Sequence, residues 1–289
     1  MVAIPLVSVL ITAYNRAAYI AEAITSVLNS TYKNLELIII DDCSVDATYS
    51  IAQQFTESDT RIRLYKNEHN LGQFNNRNKA IALATGTYIK FLDSDDTLHS
   101  ICIATMVAAM QANKNAGIAV PSGNLSVAPT LSPHQSVLLH YTYGNHLCFG
   151  PTATMFTKTA LETIGNFEPA FGILADTVLN IKIASHFDTV FVPNGLFFWR
   201  QHADQVTTEQ QDNLRMIKER YQVLNAILSY SHLPLTELEI KKIKNNFNKI
   251  NFKHLLHYLI RLKFKDAIRV KQSTHLSLSS LFLLLNNGK

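Results

Sequence analysis

The sequence is short of several things, and each shortage removes a class of explanation. It has three cysteines, Cys43, Cys102 and Cys148, an odd number set far apart. That spacing offers neither a disulfide framework nor a metal-ligand pattern, and it predicts reduced, mostly buried thiols in the cytosol. Glycine is scarce, with ten among 289 residues, and none falls in a GxGxxG or GxxxxGK[ST] pattern. Dinucleotide and P-loop readings therefore lose their main support. No apolar run reaches the roughly 18 residues that a membrane span needs. The N-terminal MVAIPLVSVLITAYNR has no basic leader and no cleavage site, and it reads as a strand rather than a signal peptide. Internal repeats and low-complexity tracts are lacking as well.

What remains is an ordered globular composition, 47% hydrophobic and 17% charged, long enough for one large domain or two small ones. The net charge of +4 hides a division. Residues 1–214 hold 12 Lys/Arg against 18 Asp/Glu, or −6, and residues 215–289 hold 14 against 4, or +10. This asymmetry predicts two parts with different partners, 1–214 and 215–289.

The first part alternates strand-like and helix-like stretches. LVSVLITAYN, LELIIIDDCS, IRLYKN and TYIKFLDSDD are β-branched runs. AAYIAEAITSVLN, QFNNRNKAIALAT and TLHSICIATMVAAMQAN carry helical spacing, with Asn15 as the cap expected before the first and Gly86 closing the second. Such alternation predicts an α/β fold, a mainly parallel sheet with helices on both faces. Two of the strands end in aspartates, and ligands of open α/β sheets bind at the carboxyl ends of strands. The acidic ends of LIIIDD and YIKFLDSDD are therefore expected to meet in one crevice.

Asp93, Asp95 and Asp96 lie within four positions, and like charges this close repel. Two readings compete. In one, Asp93 and Asp95 offer hard oxygen ligands to Mg²⁺ or Mn²⁺, and the cation bridges the protein to a diphosphate. In the other, they form a solvated acidic turn capping a helix that begins near Thr97.

Five blocks in order, VSVLITAYNR, LELIIIDDCS, NLGQFNNRNKAIALATGTYIKFLDSDD, GNFEPAFGILADTVLNIKIA and FWRQHADQVT, resemble the family 2 glycosyltransferases with the Rossmann-like GT-A fold. They cover roughly residues 5 to 207. The resemblance implies transfer of a sugar from a nucleotide-diphosphate donor with inversion, in surface-glycan synthesis. It implies a UDP-sugar, with dTDP-rhamnose as the alternative, and a saccharide or lipid-linked acceptor. It places Thr12 and Tyr14 beside the base and matches Asp42 to an aspartate that accepts from the uracil ring. Arg77 and Asn78 match a segment flanking the nucleotide, although Arg77 also reads as a solvated helix residue. Asp93 is placed near the ribose or the metal, Asp95 as the direct metal ligand, and Asp176 as the catalytic base. Asp176 also reads as a simple cap of TVLNIKIA. His202 matches a metal-binding histidine, against the ordinary structural role of most histidines. Arg200 is left open between a phosphate and the neighbourhood of Asp176. The chain departs from the family pattern at Cys43 and Lys79, where glycine is frequent, and at Ala175, where many members carry a second acid. That last departure keeps a non-catalytic nucleotide-sugar-binding or scaffold protein in view as the alternative. A nucleotidyltransferase lacks its basic glycine-rich loop here.

The basic part lies outside the resemblance. In ELEIKKIKNNFNKINFKHLLHYLIRLKFKDAIRV, Ile240, Ile243, Phe247 and Ile250 recur at helical spacing between lysines. These helices either pack on the catalytic domain with their lysines in water or lie on a membrane surface. The short greasy run LSLSSLFLLL supports the second reading and is too short to span a bilayer. Nucleic acid is not an expected partner, since the rest of the chain is acidic. The expected location is the cytoplasm, with contact at the inner face of the cell membrane.

Overall fold

β-Branched runs become strands because both of their faces are covered. A computed structural model of the chain describes residues 4–123, 129–202, 213–274 and 276. In it β1 (Val7–Ala13), β2 (Leu35–Asp41) and β4 (Tyr88–Asp93) are buried along nearly their whole length. With β3 (Ile62–Lys66), β6 (Ala116–Pro121), β7 (Thr130–Leu131), β8 (Met155–Thr157) and β9 (Asp188–Val192) they form one sheet in the order β3-β2-β1-β4-β8-β6-β9-β7. β3, β2, β1 and β4 are mutually parallel. β8 runs antiparallel to both β4 and β6, and β7 antiparallel to β9. The expected mainly parallel α/β sheet is thus a mixed one with a parallel half. A second sheet pairs β5 (Thr97–Leu98) with β10 (Phe197–Phe198).

The period of two along the strands splits the core into two layers. Val7, Val9 and Ile11 face α1 (Ile20–Leu28), α2 (Thr48–Thr56) and α4 (Cys102–Gln111). Leu10, Ile38 and Ile40 face α3 (Gln73–Leu83), α6 (Lys158–Ile164) and α7 (Ala175–Ala184). α5 (Pro133–Thr142) packs at the β7–β9 edge and opens with a capping box from Ser132 and Gln135.

Three local expectations are corrected. Asn15 does not cap α1: Tyr19 occupies that position without a side-chain bond, and Asn15 sits at φ +51, its Oδ1 accepting from the Val45 amide at 3.0 Å. Asparagine tolerates this left-handed turn, and the turn uses the side chain across the loop instead of along the helix. No helix begins near Thr97, because that residue enters β5 and α4 starts only at Cys102. The aspartates before it are therefore not helix caps. Gly86 does not close α3, which ends at Leu83 with Ala84 extended. Gly86 is instead a point of close backbone approach. A Cβ there would lie 2.6 Å from the Ser8 amide nitrogen and 2.7 Å from the Leu6 carbonyl oxygen.

The chain divides into two compact units, Met1–Arg200 and Gln201–Lys289. The second is helical: α8 (Asn213–Leu228), α9 (Glu237–Ile260) and α10 (Phe264–Thr274). A capping box from Thr236 and Glu239 starts α9. Its small core holds Ile217, Leu255, Ala267, Val270 and Leu276. The expected apolar line through Ile250 is not the buried one, which runs through Ile243, Asn251 and Leu255 while Ile250 is exposed. Steps of four keep to the inward stripe, so the polar Asn251 is turned in and Ile250 out. Apart from Leu276, the run LSLSSLFLLL lies outside the described residues. No described helix is long and apolar enough to cross a membrane.

The α9–α10 turn is a Schellman motif. The Lys263 amide donates to the Tyr258 carbonyl at 2.9 Å, and the Leu262 amide donates to the Leu259 carbonyl at 3.0 Å. Its left-handed position, φ +56, is held by Leu262 where glycine is the favoured residue. That choice costs on the order of 1 kcal/mol.

Replacing Gly86 with alanine drives a methyl group into the β1 backbone. The expected loss is about 2 kcal/mol of stability, read by urea denaturation. An unchanged midpoint would show that the close approach is not tight.

Candidate active site

Parallel, in-register strands bring their carboxyl ends to one edge. Across β1 and β4, Thr12 pairs with Asp93, and across β1 and β2, Ala13 pairs with Asp41. The two acidic strand ends thus flank β1, as expected. Tyr14, just past β1, is exposed, and Thr12 is half-buried.

The carboxylates are held by arginines. Arg77, on α3, is buried: its Nη2 lies 2.7 Å from Asp93 Oδ1, and its Nη1 lies 3.4 Å from Asp176 Oδ1. The rings of Phe74 and Phe167 lie 5.5 and 5.8 Å from the guanidinium carbon. The reading of Arg77 as a solvated helix residue is therefore wrong. Arg16 donates from Nε to Asp95 Oδ2 at 3.0 Å and from Nη1 to the carbonyls of Tyr14 and Asn15. Arg200 settles in the acidic cluster. Its amide donates to Asp96 Oδ1 at 3.1 Å, its Nε donates to the Asp95 carbonyl at 3.0 Å, and it pairs with Glu22. Beside it, Phe198 and Trp199 stand exposed.

Asp176 sits in the first turn of α7. Burial pushes its pKa up to about 6; Arg77 opposes the rise and Asp93 adds to it. Asp96 is pushed further, to about 7, by burial and then by Asp93, against the Arg200 amide and the Thr152 hydroxyl.

The support beneath these groups is specific. The Thr152 hydroxyl accepts the Asp93 amide at 2.9 Å. Lys90, fully buried in β4, donates to the carbonyls of Thr152 and Thr154 and so anchors that turn from below. Desolvation holds the Lys90 pKa below its ordinary value.

Other residues anticipated from the sequence have scaffold contacts. Asp42 is buried and accepts from Asn67 Nδ2 at 2.7 Å and from the amides of Leu71 and Gly72 at 2.9 and 3.0 Å. It therefore ties β2 to the start of α3, and these bonds use three of about four acceptor sites. Asn78 exchanges two hydrogen bonds with the Phe167 backbone, at 2.9 and 3.0 Å. Lys79 donates to Asn67 at 2.7 Å. Cys43 sits at φ +63, which explains why glycine suits that position. Ala175 is buried at the start of α7. His202 belongs to the second unit, and residues 203–212, with the rest of FWRQHADQVT, lie outside the described residues.

Arg16, Thr152 and Lys90 were not anticipated. Arg16 meets Asp95 across 79 positions of chain, and Lys90 meets Thr152 across 62, with no local pattern to announce either. Among the described residues no group of three or more His, Cys, Asp or Glu is set to hold a metal. Asp93 and Asp95 are two hard oxygen donors at one edge, a set that suits Mg²⁺ or Mn²⁺ when phosphates and water complete the shell.

The Asp96 carboxyl binds its proton more tightly folded than unfolded, where its pKa is about 3.9. Its contribution to stability is therefore full below about pH 4 and is lost as pH rises through about 7. Asp96→Asn should flatten that decline and raise stability at pH 8 by on the order of 1 kcal/mol, allowing for solvent screening. Urea denaturation at pH 5 and pH 8 checks it; parallel declines in both proteins would remove Asp96 as the cause.

The profile of a family described as "Glycosyl transferase family 2" matches residues 8–165, more than half of the chain. The putative teichuronic acid biosynthesis glycosyltransferase TuaG of Bacillus subtilis is 47% identical over 92 residues, 32% of this chain and 36% of that one. The UDP-Glc:alpha-D-GlcNAc-diphosphoundecaprenol beta-1,3-glucosyltransferase WfaP of Escherichia coli is 41% identical over 109 residues, 38% of this chain and 43% of that one. The matches thus span under half of these curated relatives. Among solved structures, S. aureus TarS 1-349 with UDP-GlcNAc aligns with TM-score 0.66 at 15% identity, covering 93% of this chain and 90% of that one. The mannosyltransferase PcManGT of Pyrobaculum calidifontis, in complex with GDP-Man and Mn²⁺, aligns with TM-score 0.65 at 18% identity, covering 99% and 80%. These likenesses show the fold.

Proposed function

The chain belongs to glycosyl transferase family 2, and from that premise we propose that it moves a sugar from a nucleotide-diphosphate donor, a UDP-sugar, to a saccharide or lipid-linked acceptor in surface-glycan synthesis, with inversion. The observation that carries the reading is Asp176. It is a carboxylate at a helix start with a pKa near 6, held by a buried arginine against the acidic end of β4. An acceptor hydroxyl is a poor nucleophile, and a carboxylate ionised near neutral pH can take its proton as it attacks the anomeric carbon. One such displacement inverts that carbon, as in inverting hydrolysis where a carboxylate activates the incoming oxygen.

Each remaining group has a part in this reading. Thr12, Tyr14 and Asp42 line the nucleotide end. Asp93 faces the ribose or the metal, and Asp95 holds a divalent ion. When bound, the ion supplies positive charge to the diphosphate as it leaves. Arg77 acts through its neighbours, setting the charge and position of Asp93 and Asp176; Asn78 holds α3 to the Phe167 segment. The UDP-GlcNAc bound by TarS and the GDP-Man and Mn²⁺ bound by PcManGT support the donor class and the metal, and the diphosphoundecaprenol acceptor of WfaP supports a lipid-linked one. The protein would then work in the cytoplasm at the inner face of the cell membrane.

Asp176→Asn should lower transfer at least about 100-fold while donor binding persists. Wild-type transfer should rise along an acid limb near pH 6, since the base must be ionised. Arg77→Met should move that limb upward, because the guanidinium opposes the effect of burial. A wild-type rate in the asparagine variant, or a limb unmoved without Arg77, would take Asp176 out of the role. A protein that binds UDP with Mn²⁺ but never turns over any donor would favour the scaffold alternative.

UDP should raise the melting temperature more with Mn²⁺ than without it, by mass action on the folded state. Asp95→Ala should erase most of that metal-dependent increment. An undiminished increment would place the ion elsewhere.

A further inference from the structure

The second unit carries a surface that transfer chemistry does not use. Around the α9–α10 turn, Ile260 is 79% exposed, Leu262 73%, Phe264 56% and Ile268 55%. Leu256, one turn before Ile260 on the same face of α9, and the adjacent Leu259 are also exposed. Apolar side chains gathered this way on a surface mark a partner.

Two observations say which partner. First, the sequence through the turn, LIRLKFK from Leu259 to Lys265, sets a basic residue beside each of its central apolar ones. Between residues 253 and 271, Lys253, Arg261, Lys263, Lys265, Arg269 and Lys271 are all exposed, and the sole acid is the half-buried Asp266, 3.7 Å from Arg269. A protein interface core is depleted in lysine, and a second copy of this face would bring like charges together. An anionic lipid surface accepts both halves of the pattern: apolar tips enter the acyl boundary while Lys and Arg heads stay among phosphates. Second, Leu262 holds the left-handed position of the Schellman turn at φ +56, and most of its surface is in solvent. A strained leucine with so little interior contact contributes nothing evident to the fold, and strain of this kind is kept where it serves a task.

We infer that the α9–α10 turn is a membrane-docking edge, in which Ile260, Leu262 and Phe264 insert into an anionic bilayer and Arg261, Lys263, Lys265 and Arg269 engage its headgroup phosphates. Its purpose rests on the proposed lipid-linked acceptor, whereas its geometry rests on the turn alone. Docking would bring a soluble donor to an acceptor that cannot leave the membrane.

The test uses the full-length protein and vesicles without sugar or nucleotide. Sedimentation with vesicles of phosphatidylglycerol in phosphatidylcholine should retain the protein, and affinity for phosphatidylcholine alone should be at least about tenfold weaker. Leu262→Gly should lower affinity for the mixed vesicles about tenfold, while its melting temperature is unchanged or higher because the strain is relieved. Lys263→Gln and Lys265→Gln should each lower it about fivefold, and added salt should do the same. Wild-type sedimentation no better than that of Leu262→Gly and the glutamine variants overturns the inference. So does a fall in molar mass by light scattering in Leu262→Gly without a change in vesicle binding, which would make the face a contact between copies. A protein that transfers sugar to a soluble acceptor yet ignores vesicles overturns docking alone. One that docks through the turn yet transfers nothing supports docking and overturns the transfer reading.

Discussion

One buried guanidinium organises the acidic edge. Arg77 reaches Asp93 with one nitrogen and Asp176 with another, from a position closed off by Phe74 and Phe167. A buried charge is tolerable only when paired, and here it is paired with two carboxylates brought from different parts of the chain. Removing either partner would leave charge stranded, so strand end, α3 and α7 are fixed relative to one another by the same electrostatic requirement. Arginine suits the place better than lysine, because its planar fork can bond two acceptors at once and still lie against aromatic rings.

The rest of the unit serves that arrangement. Asp42 holds the start of α3 through the amides of Leu71 and Gly72, and Asn78 clips the same helix to Phe167. Both side chains therefore act on where Arg77 points. On the other flank, Lys90 anchors the turn that offers the Thr152 hydroxyl to the Asp93 amide. The result is a graded set of acids. Asp176 and Asp96 are raised to about 6 and about 7 by burial and by their neighbours' charge. Asp95 lies against Arg16. Position alone thus raises the proton affinity of Asp176 and Asp96, and for Asp176 that is what the proposed role of base needs.

Much of this was legible in the residues. β-Branched runs and helical spacing gave the layered α/β order, since period and propensity act locally. Aspartates at two strand ends were enough to locate the edge. The misreadings have local causes too. Asn15 is a good cap by type but lies in a left-handed turn and bonds to Val45. TLHSICIA reads as helix, but its first residues pair with Phe197 and Phe198 to make a strand. Gly86 resembles a helix stop, yet its role is to let two backbones touch. Each competing partner lies far along the chain, so no window of sequence contains it.

The alternation of elements, the acidic strand ends, the basic character of the last quarter and the five blocks that mark the family can all be read from the residues in order, because they depend on residue type and near-neighbour spacing. Folding in three dimensions was needed to show that Arg16, Arg77 and Arg200 answer the aspartates, that Asp42 and Asn78 serve α3, and that Ile250 and Leu262 face outward. Those outcomes depend on which distant groups meet once water is excluded. Charge and burial act through space, and the order of residues along a chain does not state distance.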